Sequence, residues 1–253
     1  WIDRIFAVMA LCPQHTFQVL TKRPERMRAY RSGDLFGRLN DAARAVTGRD
    51  WIAVLPTQRH GMVPGAWPLP NVWLGVSVED QATADARIPV LLQTPAAVRW
   101  VSYEPALAAV NFTRWLPHAT CDACGGAFVR DSARCPSCGD AHKLSYSLVH
   151  HGLSWVVCGG ESGPGARLFD LAWARAAIAQ CRAAGVPVFC KQLGARPVVA
   201  DSDFGHLGAY VREALDGSNE VRFSDRKGGV MEEWPADLRV REYPSAREDG
   251  GEA

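Results

Sequence analysis

The 253-residue chain has no uninterrupted apolar run near the roughly 20 residues that a membrane-spanning helix needs, so no membrane partner is expected. It has little net charge, +1 from 28 Lys and Arg against 27 Asp and Glu, which argues against a surface given over wholly to nucleic acid and leaves a local basic patch open. Its 7 histidines do not gather with aspartates into the sets a metal-dependent hydrolase uses, and that class is set aside. The chain also lacks an initiating Met. It opens on Trp1 and runs at once into an amphipathic segment with Ile2, Ile5, Phe6 and Met9 on one helical face. An α/β alternation that starts on a core-facing helix predicts at least one strand before Trp1, and a signal peptide cannot be judged from this terminus. What is present is a core-forming composition, 47% hydrophobic and 22% charged, ordinary for a cytoplasmic globular protein with one barrel-sized domain or two smaller ones.

The stretch Trp155-Val-Val-Cys-Gly-Gly-Glu-Ser-Gly163 changes abruptly from strand to site chemistry. A short apolar run bounded by glycine reads as a buried strand, and Gly159 and Gly160 let backbone approach a ligand closely. Taken alone, the segment reads equally well as a tight turn with a solvated Glu161. The pattern recurs, however. Thr16–Thr21 leads into Lys22-Arg23-Pro24, Asn71–Val76 into Ser77-Val-Glu79-Asp80, Val98–Ser102 into Tyr103-Glu104-Pro105, and Pro187–Cys190 into Lys191-Gln192. In a parallel α/β barrel the strand ends converge on one face, where chemistry is done. The expected fold is therefore α/β, a partial, open TIM-like barrel lacking its N-terminal strand or strands, with Lys22, Glu79, Glu104, Glu161 and Lys191 as candidate catalytic residues around one cavity.

The intervening segments supply the helices. Pro24–Tyr30 reads as a helix start, Leu39–Ala45 as helix-compatible, and Asp80–Gln93 as a helix that Pro89 should kink or restart. Leu171–Ala184 is the clearest, with Asp170 as N-cap, Gly185 as stop and Ala174, Ile178 and Cys181 as its buried stripe. Cys12, Cys158 and Cys190 are read as buried and free like Cys181. Phe204–Leu215 is expected to be helical, Arg226–Gly229 a turn, and Ser245–Ala253 disordered.

The connection from Glu104 to Trp155 is too long for one crossover, and it carries Cys121-x-x-Cys124 and Cys135-x-x-Cys138, each pair followed by Gly. Four thiolates in this arrangement predict a closed, structural zinc site. The alternatives are disulfides, which matched doublets in a chain of this composition disfavour, and a redox motif, which rarely comes as a matched pair. His118 and His142 flank the site as substitute ligands or solvated loop residues. Domain bounds follow: 1–112 as the first part of the barrel, 113–150 as a zinc-ribbon insertion, 151–200 as the second part and 201–253 as a C-terminal extension.

Taken as a set, Leu20–Met27, Asn71–Asp80, Ser102–Pro105, Gly159–Arg167 and Lys191-Gln192, with Lys227-Gly-Gly229 and Trp234-Pro235, resemble a phage-associated family named for gene products thirty-seven and sixty-eight, a domain of unknown function. That family is similar to the radical S-adenosylmethionine superfamily. The resemblance implies S-adenosylmethionine and a [4Fe-4S] cluster held by a cysteine triad, which this chain lacks and which the full-length parent would carry upstream. By strand-end position, Ser77, Glu79, Gly159, Gly160 and Ser162 are the candidate cofactor-binding residues, with ribose or amine bonds from Ser77, Glu79 and Glu104 and close backbone approach at Gly159, Gly160 and Glu161. An anionic substrate, with nucleic acid as the candidate for modification or repair, would meet Lys22, Arg23 and Gln192. The competing reading is a non-catalytic module in which an inactive barrel presents the zinc ribbon, with Arg114 and Arg130 nearby, to nucleic acid or protein.

Overall fold

The computed structural model describes residues 1–30, 34–48, 67–117, 119–120, 127–128, 152–200, 211–213 and 219–244. Cys121, Cys124, Cys135 and Cys138 lie outside the described residues, as do His118, Arg130, His142 and the tail from Ser245. Five strands, β1 (Phe17–Thr21), β2 (Val72–Ser77), β3 (Val98–Tyr103), β4 (Trp155–Gly159) and β5 (Val188–Gln192), form one sheet in that order with every neighbouring pair parallel. Among the described residues β1 and β5 do not pair with each other, so the sheet is open. The protein is thus a mixed α/β fold, with helices α1 (Ile2–Leu11), α2 (Pro24–Tyr30), α3 (Leu35–Thr47), α4 (Gln81–Leu92) and α5 (Leu171–Ala183).

The strands are β-branched and aromatic, and their side chains alternate between two faces. Val72, Leu74 and Val76, Val101 and Tyr103, Val156 and Cys158, and Val188 and Cys190 all join the main core with the helices. Each large side chain so buried contributes about 1.5–3 kcal/mol. The opposite face carries a separate aromatic cluster of Trp100, Trp155 and Val157, with Trp73, Val98 and Phe189 packed against it.

Several expectations are corrected. Helix α1 buries Phe6, Ala7 and Ala10 and leaves Ile5 exposed, because the alanines let it sit close to Ala42 and Ala43 of α3. Helix α4 runs as one element through Pro89; buried Ile88 and Leu91 hold the turns on either side of the proline. Cys12 is only partly buried. Val211–Glu213, expected in a helix, is a strand paired antiparallel with Asn219–Val221, where the partner's backbone overrides local propensity. Within the C-terminal extension, Val221, Trp234, Leu238 and Val240 belong to the main core. Cys190 N–H donates to Val240 O and Glu242 N–H to Val188 O, both at 2.8 Å, so the chain there runs alongside β5.

Candidate functional site

Strands β2 and β3 set the register of the site. Trp73 lies opposite Val98, Gly75 opposite Trp100, and Ser77 opposite Ser102, and alternation puts these pairs on the face away from the main core. Glu79 and Glu104 follow two residues after Ser77 and Ser102. The inner face therefore rises from an aromatic floor through two buried hydroxyls to two carboxylates.

At the rim each carboxylate has a cation. Lys22 Nζ, from the end of β1, is 2.6 Å from Glu79 Oε1. Arg87 of α4 donates to Glu79 Oε2 at 2.9 Å and to Ser77 O at 2.8 Å, which ties the helix to the strand end. Across β4, Lys191 Nζ stands 3.4 Å from Glu104 Oε1, and Ser102 Oγ donates to Glu104 Oε2 at 3.4 Å. The Lys22 and Lys191 side chains are 61% and 55% exposed, whereas those of Glu79 and Glu104 are 11% and 15% exposed. Burial pushes the Glu104 carboxyl up, and Lys191 and Ser102 only partly offset it.

Glu161, on the turn after β4, accepts Arg167 Nε and Nη2 at 2.9 Å and the Arg167 backbone N–H at 3.0 Å. These bonds bring its carboxyl down to about 2. Arg167 is raised in turn by Glu161 first, and the field of Glu79 adds to it, which links the two parts of the rim. The loop after β3 spans the same end: Ala106 N–H donates to Gly159 O at 3.0 Å and Leu107 N–H to Glu79 O at 2.8 Å.

Other predicted residues have different settings. A Cβ on Gly159 would come within 2.8 Å of Glu104 Oε1 and 2.9 Å of Gln192 O; one on Gly160 would come within 2.5 Å of Leu193 O. The close approach that requires these glycines is thus made by the protein's own atoms. Gln192 Nε2 donates to Gly160 O at 3.1 Å, Ser162 is exposed on the turn, and Arg23 is exposed beside Lys22 with its backbone N–H on Thr21 Oγ1. Sequence reading did not assign Arg87, Arg167, Ser102 or the tryptophan floor. A signal existed for the last two: Trp73-x-Gly-x-Ser-x-Glu79 and Val98-x-Trp-x-Ser-x-Glu104 share one alternation. Arg87 comes from a helix eight residues past Glu79, and only folding brings it back.

Among the described residues no group of three or more His, Cys, Asp or Glu side chains is placed to hold a metal ion, and no helix is long and apolar enough to cross a membrane. Cys158 and Cys190 face each other across β4 and β5 with Cys181 nearby, all buried; each neighbour and the loss of water push the Cys158 thiol well up. No curated protein and no solved structure matches the chain. A family profile matches residues 1–229, and the chain belongs to that family, described as a protein of unknown function, DUF5131.

Proposed function

We propose that this chain is the cofactor- and substrate-holding part of a radical S-adenosylmethionine-type enzyme of phage or prophage kind that modifies nucleic acid, built as a partial TIM-like barrel. The observation that carries the reading is the column of Ser77, Ser102, Glu79 and Glu104 at the ends of adjacent parallel strands, closed by two exposed lysines. This donor set suits S-adenosylmethionine: buried carboxylates match its ammonium and buried hydroxyls its ribose. In the free protein Lys22 and Lys191 occupy the place of such an ammonium, and their exposed stems let them move aside. An iron–sulfur cluster does not fit the described thiols, because Cys158, Cys181 and Cys190 are buried in the core and Cys12 stands apart. S-adenosylmethionine, if bound, would supply the reacting group, and Ser77, Ser102, Glu79 and Glu104 would hold and neutralise it.

The test is anaerobic reconstitution of the full-length protein. The expected result is cluster absorption and release of deoxyadenosine, with loss of S-adenosylmethionine binding in Glu79→Gln and Glu104→Gln. A full-length protein that binds neither iron nor S-adenosylmethionine overturns the reading. The rim carboxylates are already cation-paired, which favours a second reading, a binding module without catalysis. The four cysteines of the insertion then serve presentation to nucleic acid or protein, and elemental analysis should find one zinc per chain in either case.

A further inference from the structure

Buried indole N–H groups usually find an acceptor, and those of Trp155 and Trp234 do: Trp155 donates to Glu242 O and Trp234 to Gly228 O. Trp100 does not. It is 6% exposed, and its Nε1 has no hydrogen-bond partner. The nitrogen edge lies over Gly75, whose Cβ, were there one, would be 2.6 Å from Nε1. Gly75 is one pleat below Ser77 on the inner face, so the orphan donor sits on the floor beneath the rim.

This floor is closed on one side and open on the other. Toward β5, Tyr243 packs on Trp155 and Phe189. Toward β1, Gln18 and Leu20 are exposed on the inner face, Leu20 by 45%, and Trp73 is only partly buried. The open side is also the basic one. Lys22 and Arg23 are both exposed immediately after β1. Aromatic floor, orphan donor and cationic edge together describe a stacking platform under an electrostatic funnel.

Resting on the rim reading above, we propose that the inner face between Leu20, Trp73 and Trp100 takes one unstacked base of a single-stranded nucleic acid. Trp100 Nε1–H donates to an acceptor on the base edge, and Lys22 and Arg23 meet the flanking phosphates. Every nucleobase offers a π face and an edge acceptor, so the platform accepts bases generally, while the phosphates account for the cationic edge.

The experiment titrates the full chain, without iron or S-adenosylmethionine, with a labelled single-stranded DNA 12-mer of mixed sequence. A fully abasic strand of the same length, and a free mononucleotide, are the comparisons. The proposal expects salt-dependent binding of the intact strand with quenched tryptophan emission, and at least about 5-fold weaker binding of the abasic strand. Trp100→Phe should weaken the intact strand about 5- to 10-fold with the salt slope unchanged, whereas Lys22→Ala with Arg23→Ala should flatten that slope. Equal affinity for abasic and intact strands, mononucleotide binding as tight as the strand's, or no binding at all overturns it. The comparison of strands uses the unaltered protein, so a variant that misfolds does not leave the question open. Because no cofactor is present, a negative result here leaves the S-adenosylmethionine reading standing, and failed reconstitution leaves this one standing.

Discussion

Glu104 is the residue whose environment most opposes its charge: burial raises its pKa from an ordinary 4.5 although Lys191 and Ser102 favour ionisation. A carboxyl raised in the fold is bound to its proton more tightly than in the unfolded chain, so its contribution to stability is present below the unfolded pKa and is lost as pH rises through the folded value. Glu104→Gln should therefore unfold at a temperature no lower than the unaltered protein at pH 7, because Lys191 is exposed and is not left as a buried charge. Thermal melts at pH 4 and pH 7 check this; a marked loss at pH 7 would show that the pair holds the fold together. Glu161 has the opposite sign. Its carboxyl, lowered to about 2 by Arg167, favours folding above the unfolded pKa and loses that contribution as pH falls toward 2. Solvent keeps the effect small at this exposed pair, but Arg167→Ala should move the Glu161 titration midpoint back up, as read by carboxyl NMR shifts. At Gly159 the limit is steric: Gly159→Ala would crowd Glu104 and the Gln192 carbonyl and should cost about 1–3 kcal/mol in denaturant unfolding.

Helix α4 shows how an element carries the site. Asp80 Oδ1 accepts the Thr83 backbone N–H at 2.8 Å, and Thr83 Oγ1 accepts the Asp80 backbone N–H at 3.1 Å, so the helix starts at Gln81, with its cap next to Glu79. That start brings Arg87 two turns later over Ser77 O and Glu79. The Thr83 amide and hydroxyl also bring the Asp80 carboxyl down, so the cap weakens as pH falls through its folded pKa. Asp80→Ala should cost about 1 kcal/mol. It should also loosen Arg87 from Glu79, which a double-mutant cycle with Arg87→Ala would detect as coupling. The strands work differently, since the period of two in β2 and β3 determines which residues share the inner face, and shifting either by one residue toward its start would exchange Ser and Glu for core residues, Val76 and Val78 in one and Val101 and Tyr103 in the other.

At the scale of the molecule, the C-terminal residues complete a core begun by the first helix. Trp234 is buried, its Nε1–H donates to Gly228 O at 2.9 Å, and Gly228 O also accepts Leu193 N–H. Trp234→Ala should cost about 3–5 kcal/mol, and its single denaturant transition should shift as a whole. A first transition confined to the C-terminal part would show a separate unit instead. The alternation of apolar and polar residues, the Asp170 and Asp80 caps and the charged strand ends were all legible in order along the chain, because each depends on spacing within a dozen residues. The carboxylates Glu79, Glu104 and Glu161 could be named from that pattern alone. Lys22 and Lys191 could be named with them, but not which carboxylate each meets: Lys191 reaches Glu104 across an intervening strand, and Arg87 is brought to Glu79 by a helix. Local sequence determined which segments form strands and helices and what stands at their ends. The tertiary structure alone decided which charges meet and which polar group is left without a partner, because those depend on distances between residues far apart in the chain.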